Sequence, residues 1–126
     1  MINTLAITGI LAVSIGAFGA HGLKPKLTET LLNTFNTGVS YHFYHLFAMS
    51  FAYLLYTHNK QLWVRRAFWC FFAGILLFSG SLYLLSTRDV IGLSTYTWLG
   101  PLTPIGGIFF ILGWIMILIS AKKKNQ

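Results

Sequence analysis

The sequence predicts an all-α integral membrane protein, a four-helix bundle with a short amphipathic interfacial helix in its first outer loop. Hydrophobic residues make up 56% of the 126 residues, and the mean hydropathy is +0.68. Charged residues make up only 9%, against about 25% in soluble domains. A soluble domain needs polar residues to cover its surface, and this chain has too few. The composition therefore excludes a disordered chain and argues strongly against an ordinary soluble domain.

Four long stretches contain no Asp, Glu, Lys or Arg: residues 1–23, 30–59, 67–87 and 90–121. A helix that crosses the ~30 Å hydrocarbon layer needs about 20 apolar residues, so each stretch supplies one span. Long apolar runs favour helices over the short alternating segments of a membrane barrel. We place the spans, within a single domain of residues 1–126, near residues 2–20, 39–56, 67–85 and 103–121.

The distribution of basic residues predicts the orientation of these spans. With four spans, both termini and the 57–66 loop share one side of the membrane. That side carries six basic residues, Lys60, Arg65, Arg66 and Lys122 to Lys124. The other side carries three, Lys24, Lys26 and Arg88. Cytoplasmic loops are enriched in Lys and Arg, so we expect a multi-pass protein of the cell (plasma or inner) membrane, with its N- and C-termini cytoplasmic.

The net charge of +7 does not indicate a nucleic-acid partner. The basic residues lie at the ends of apolar stretches, and they form no basic face interleaved with base-stacking aromatic residues. We expect contact with membrane lipid, and the sequence leaves a homo-oligomer or a larger membrane complex open.

The segment before the second span predicts a helix. Apolar residues recur there every four positions: Leu27, Leu31, Phe35 and Val39. Thr28 can cap this helix, and Glu29 is favourable in its first turn. We expect an amphipathic helix that lies at the outer interface or runs into the second span. In the second outer loop, Tyr96 and Trp98 are the expected interface anchors.

Small residues recur along the spans. Ala12, Gly16 and Ala20 form a row on the first span, and glycines occur on the third and fourth spans, at Gly74, Gly80, Gly106, Gly107 and Gly113. Small residues let helix backbones approach closely in a membrane. We interpret them as packing positions rather than as the lining of a ligand passage.

Polar side chains at membrane depth are the candidate site. The orientation above places them in the outer half of the membrane, with a contribution from every span: His21, Tyr41, His42, His45, Ser79, Ser81 and Thr103. His42 and His45 are three residues apart and are predicted to share one helix face.

Three interpretations of this cluster remain open. His21, His42 and His45 are candidate ligands for zinc, copper or iron, although we expect no metal and no other cofactor. Histidine can also serve as a proton relay or general base, but no recognisable nucleophile accompanies it, and we name no catalytic residue. The favoured interpretation is a hydrogen-bonded structural network.

Four motifs, which extend over nearly the whole chain, resemble those of one family. They are Gly16-Ala17-Phe18-Gly19-Ala20-His21-Gly22, then Thr37-Gly38 with Tyr41 and His45, then Phe78-Ser79-Gly80-Ser81-Leu82-Tyr83, and finally Thr103-Pro104-Ile105-Gly106-Gly107. In this order they resemble the small membrane proteins of domain-of-unknown-function family 423, which includes transmembrane protein 256. The resemblance implies a four-helix, multi-pass membrane protein, and it implies no established activity or site residue.

These observations favour a small membrane protein without enzymatic activity, in a structural, lipid-interacting or membrane-complex accessory role. The alternative is an outer-leaflet ligand, metal or catalytic site on His21, Tyr41 and His45. A small transporter or channel is a second alternative. Proton-coupled cation export is disfavoured, because Glu29 and Asp89 lie outside the spans and such exporters use a carboxylate within the membrane.

Overall fold

The computed structural model of the protein describes residues 1–92 and 100–123, and within these ranges it is all-helical, without strands. Tyr96, Trp98 and Lys124 therefore lie outside the described residues. The helices, in chain order, are α1 (Ile2–Phe18), the π-helical segment π1 (Gly19–Leu23), α2 (Glu29–Asn59), α3 (Leu62–Gly74), the π-helical segment π2 (Ile75–Ser79), α4 (Gly80–Thr87) and α5 (Leu102–Lys123). Because π1 continues α1, and π2 joins α3 to α4, these elements form four helical rods. Together the rods include all residues of the four predicted spans.

α2 is longer than the span predicted at residues 39–56. The Thr28 hydroxyl caps it by accepting a hydrogen bond from the Leu31 backbone N–H at 3.4 Å, as the sequence predicts. No proline follows before Lys60, so the 31 residues form one helix of about 46 Å. Of the two arrangements expected for the amphipathic segment, the structure has the second. It is the first part of α2, and the described loop at residues 24–28 holds no separate interfacial helix.

Three rods of the described chain are long and apolar enough to cross a membrane: Ile2–Leu23, Leu62–Thr87 and Leu102–Lys122. α2 is not among them, because its histidines and hydroxyl-bearing residues lower its hydropathy. Its outward face is nevertheless mostly aromatic and aliphatic, with Tyr44, Phe47, Phe51 and Leu54 all exposed. These residues recur every three or four positions and so lie on one helix face. A face of this kind suits lipid, which makes a four-helix membrane bundle the consistent architecture.

α2 is the central helix of the bundle. It packs against α1, α3, π2 and α4, while α5 packs mainly along α3 and π2. The main core lies between α2, α3 and α5 and is built from small residues and large aromatic rings. Its buried members are Ala48, Met49, Ala52, Val64, Ala67, Phe68, Phe71, Ile75 and Phe110.

Close packing of α5 depends on glycine. A Cβ atom at Gly106 would overlap the Phe78 backbone of π2, and one at Gly113 would overlap the Phe71 ring. These positions therefore agree with the packing interpretation, because a larger residue would push α5 away. Gly80 does not share this role, since no atom of a neighbouring helix in the described chain lies within 4 Å of its Cβ position.

Candidate functional site

The first polar contact of the interior links α2 to α4. His42 is 4% exposed, and its Nδ1 lies 3.1 Å from the Tyr83 hydroxyl, at hydrogen-bond distance. Gly38, one turn earlier on α2, makes room for the Tyr83 ring, because a Cβ there would lie 3.0 Å from Tyr83 Cε1. His42 Nε2 is buried without a hydrogen-bond partner among the described residues. The Thr8 backbone of α1 is close enough to interact electrostatically with the ring, so this histidine lies where three helices meet.

His45 has different neighbours. Its Nδ1 lies 2.9 Å from the Tyr41 backbone carbonyl, so Nδ1–H donates and fixes that tautomer of the neutral ring. The imidazole is stacked on the Phe110 ring of α5, with 3.3 Å between ring centroids and 6° between planes. Tyr41 stacks in turn on Phe78, at a centroid distance of 4.6 Å. His42 and His45 are both buried, but one contacts a hydroxyl group and the other an aromatic stack.

A third contact joins α4 to α5. The Ser81 and Thr103 hydroxyl oxygens are 2.6 Å apart, and Ser81 Oγ also lies 2.9 Å from the Phe78 carbonyl. If Ser81 donates to that carbonyl, Thr103 donates to Ser81, and both hydroxyl groups are satisfied. Ser79 is fully buried in π2, and its hydroxyl has no partner among the described residues.

The structure does not join His21 to this interior. His21 is exposed in π1, and no hydrogen bond or ring contact connects it to the other polar residues in the described part of the chain. Within residues 1–92 and 100–123, no three His, Cys, Asp or Glu side chains come together in a group that could hold a metal ion. The arrangement that a His21, His42 and His45 metal site needs is therefore not formed.

The buried polar residues make contacts that join helices. Two pairs, His42 with Tyr83 and Ser81 with Thr103, connect neighbouring helices directly. Asp89 lies beside Arg88 at 3.8 Å and is exposed. No carboxylate of the described residues contacts the histidines. Chemically, the arrangement provides two separate interhelical hydrogen bonds in the interior of the bundle.

Comparison with known proteins identifies the family. The model of a family described as "Protein of unknown function (DUF423)" matches residues 15–107. The chain belongs to the DUF423 family. UPF0382 membrane protein YwdK of Bacillus subtilis (strain 168) is 44% identical over 119 residues, which cover 94% of this chain and 92% of the relative.

Further DUF423 relatives occur in staphylococci. A UPF0382 membrane protein of Staphylococcus aureus (strain bovine RF122 / ET3-1) is 40% identical, and one of Staphylococcus haemolyticus (strain JCSC1435) is 37% identical. Each alignment covers 94% of this chain and 91% of the relative. No solved structure matches the chain. The family and the apolar helices together make this a membrane protein of a family without an assigned function.

Sequence reasoning missed two partners in the interior. Tyr83 lies within the DUF423 match but was not among the candidate site residues, and Phe110 lies beyond it. A signal for Tyr83 exists, because Ser79, Tyr83 and Ser86 are spaced four and three residues apart and form a polar stripe on an apolar rod. Phe110 carries no comparable signal, since it is one of many apolar residues on α5.

Proposed function

We propose that this protein is a non-enzymatic component of the cell membrane that assembles with a second copy of itself through the outward face of α1. Its polar interior supports the non-enzymatic part. His42, Ser79 and Ser81 are each less than 5% exposed, so a substrate cannot reach them without separating the helices. These side chains stabilise the bundle, and the function lies on its outer surface.

The observation that carries the assembly proposal is an exposed row of residues on α1 and π1. The row consists of Asn3, Ile7, Ile10, Ser14, Ala17 and His21, all of which are exposed. Their alternating spacing of four and three residues is that of a coiled-coil seam. Thr8 and Ala12, on the opposite face, are buried where α1 packs on α2. In the described part of the chain the row therefore faces away from α2 and towards the surroundings of the bundle.

Three polar members distinguish this row from an ordinary lipid-facing surface. Asn3, Ser14 and His21 have no side-chain hydrogen-bond partner among the described residues, and Ser14 lies near the middle of Ile2–Leu23. Lipid tails cannot supply hydrogen bonds, so a hydroxyl group at this depth favours a protein partner.

A second copy is the partner that the row fits. Asn, Ser and neutral His each contain both a donor and an acceptor, so each can bond to the same residue across a twofold axis. Ala17 leaves space for a close approach between two α1 helices. A parallel pair would place Ser14 against Ser14, between a layer of Ile10 residues and a layer of Ala17 residues.

Cysteine cross-linking in native membranes tests this pairing. Cys70 is the one cysteine of the chain, so Cys70→Ser provides the background. Ile10→Cys, on the row, should form a disulfide-linked dimer under mild oxidation. Leu11→Cys is the matched control, because Leu11 is also exposed but points about 100° away from Ile10 on the helix.

The outcomes separate the possible partners. Dimers from Ile10→Cys but not from Leu11→Cys support the pairing, and Ser14→Leu should then reduce cross-linking. Equal yields from both cysteines, or no dimer from either, would overturn it. A cross-link to a different protein would replace the second copy with a larger membrane complex.

The proposed orientation, with both termini in the cytoplasm, rests on the excess of basic residues at that end. A C-terminal fusion to a fluorescent protein should be fluorescent, and the same fusion to alkaline phosphatase should be inactive. The reverse pattern would place the termini outside the cell.

A further inference from the structure

A groove opens between the first half of α3 and the middle of α5, towards the end of the bundle that carries most of the basic residues. Its volume is about 560 Å³, within the range of about 300–1,000 Å³ for ligand sites. Two arginines and five largely apolar residues line it: Met1, Arg65, Arg66, Trp69, Cys70, Phe109 and Met116. None of these residues is a buried member of the main core or one of the buried polar residues of the interior.

The two arginines have no carboxylate partner in this part of the protein. The whole chain has two acidic side chains, Glu29 and Asp89. Asp89 follows the far end of the 26-residue rod that begins at Leu62, about 35 Å from the arginines. Glu29 begins α2, about 46 Å from the end of that helix beside α3. Both distances exceed the ~8–10 Å screening length at physiological salt, so neither acidic side chain neutralises these arginines.

The spacing along α3 directs both arginines towards the groove. Trp69 lies four residues after Arg65, and Cys70 lies four residues after Arg66, so each pair shares a helix face. The Arg66 guanidinium also lies 5.0 Å from the centre of the Trp63 ring, at cation–π distance. We call Arg65 and Arg66 the cationic mouth of the groove, and we call Trp69, Phe109 and Met116 its apolar wall.

The apolar wall continues from this mouth into the span. Cys70 Sγ lies 3.8 Å from Met116 Sδ, where α3 meets α5. From Met116 the groove follows α5 as far as Phe109, seven residues or about 10 Å towards the opposite membrane face. Trp69 borders it and is 43% exposed, as is common for indole rings at a membrane interface.

We propose that this groove binds an anionic phospholipid of the surrounding membrane. The lipid phosphate lies on Arg65 and Arg66, whose planar guanidinium groups form paired hydrogen bonds with phosphate oxygens. One acyl chain lies along Trp69, Met116 and Phe109. A free phosphate ion would satisfy the mouth but leave the apolar wall uncovered, whereas a phospholipid matches both. Basic pockets between helices on the cytoplasmic side suit anionic head groups.

Native mass spectrometry of the delipidated protein, titrated with phosphatidylglycerol or phosphatidylcholine, tests the proposal. The wild-type chain should retain phosphatidylglycerol preferentially. The double variant Arg65→Gln/Arg66→Gln should bind it about 25-fold more weakly, which converts to about 2 kcal/mol for two residues at about 1 kcal/mol each. Lys24→Gln/Lys26→Gln is the matched control, because it removes the same charge at the other end of the bundle. This control should retain the preference.

A second variant tests the acyl-chain wall without changing the charge. Cys70→Phe fills the groove, so it should weaken phosphatidylglycerol binding while both arginines remain. Far-ultraviolet circular dichroism checks that each variant is folded. Excess inorganic phosphate should compete poorly with the lipid.

Three outcomes would overturn the lipid site. They are equal binding of the two lipids, an unchanged preference in the arginine variant, and complete displacement by inorganic phosphate, which would indicate a simple anion site. None of these results depends on pairing through α1.

Discussion

Replacing Tyr83 with Phe tests whether the buried polar groups stabilise the bundle. The change removes one hydroxyl group, which lies 3.1 Å from His42 Nδ1, and retains the ring. Interhelical hydrogen bonds in membranes contribute about 0.6 kcal/mol on average and up to about 1.7 kcal/mol. Among the described residues, His42 Nε2 meets no hydrogen-bond partner at bonding geometry, so Tyr83→Phe would leave the ring without a side-chain hydrogen bond in a buried site. We therefore expect a decrease of about 1–2 kcal/mol in the free energy of unfolding.

The double variant His42→Phe/Tyr83→Phe distinguishes a shared hydrogen bond from two independent side-chain effects. Replacing both partners of a buried hydrogen bond with apolar groups of similar shape is nearly neutral, whereas removing one partner leaves the other unsatisfied. The double variant should therefore be more stable than Tyr83→Phe alone. This order is the reverse of what independent, additive effects would give.

Reversible unfolding in mixed micelles, followed by circular dichroism, measures these differences. Tyr44→Phe is the matched control, because Tyr44 is 62% exposed and its hydroxyl has no hydrogen-bond partner among the described residues. Its effect should stay within about 0.5 kcal/mol. The reasoning fails if Tyr83→Phe changes the free energy of unfolding as little as this control does. It also fails if the double variant lowers the free energy of unfolding by the sum of the two single-variant decreases.

The same unfolding titration checks three further changes. Gly106→Ala should lower the free energy of unfolding by about 1–3 kcal/mol, because the added Cβ would overlap the π2 backbone. Gly80→Ala should raise the free energy of unfolding by about 0.5–1 kcal/mol, because this helical position has open space for a Cβ. If Gly80→Ala proves the more destabilising of the two, the packing described for α5 is wrong. Ser79→Ala should raise the free energy of unfolding by about 1 kcal/mol, since it removes a buried hydroxyl group without a partner among the described residues. A lower free energy of unfolding would mean that this hydroxyl group forms a hydrogen bond. Lys60→Gly should raise the free energy of unfolding by up to about 1 kcal/mol, because Lys60 has a φ of 54° that glycine adopts without strain. A lower unfolding midpoint for this variant would refute the prediction.

The helices were predictable from the sequence, and so was the Thr28 cap at the start of α2, but the sequence did not decide between a separate interfacial helix and one continuous helix. Runs without charged residues indicated four rods, because an apolar segment of about 20 residues has few stable alternatives in a membrane. The span at residues 39–56 counted only the residues at membrane depth. α2 begins ten residues earlier because Thr28 caps the helix there and nothing interrupts it before Lys60. The length of a span therefore sets a lower limit on the length of its helix.

The polar residues at membrane depth could be identified from the sequence, whereas their burial and pairing could not. Of the candidate residues, the structure leaves His21 and Tyr41 exposed and buries His42, His45, Ser79 and Ser81. Their partners depend on π2, the five-residue segment that changes the helical repeat between α3 and α4. A regular repeat of 3.6 residues does not predict how Tyr83 and Ser81 face their neighbours after this segment.

The position of α2 follows from its polarity. Of the four rods, α2 is the one that does not meet the apolarity expected of a membrane span, and it is also the one that packs against α1, α3, π2 and α4. Both facts have one cause, because His42 and His45 would be costly to expose to lipid and a central helix can bury them among neighbours. α1 is a peripheral helix, because α2 is its main neighbour outside its own rod and much of its surface is exposed. A helix with an exposed face is the one that can present polar residues such as Ser14 to the partner that we propose.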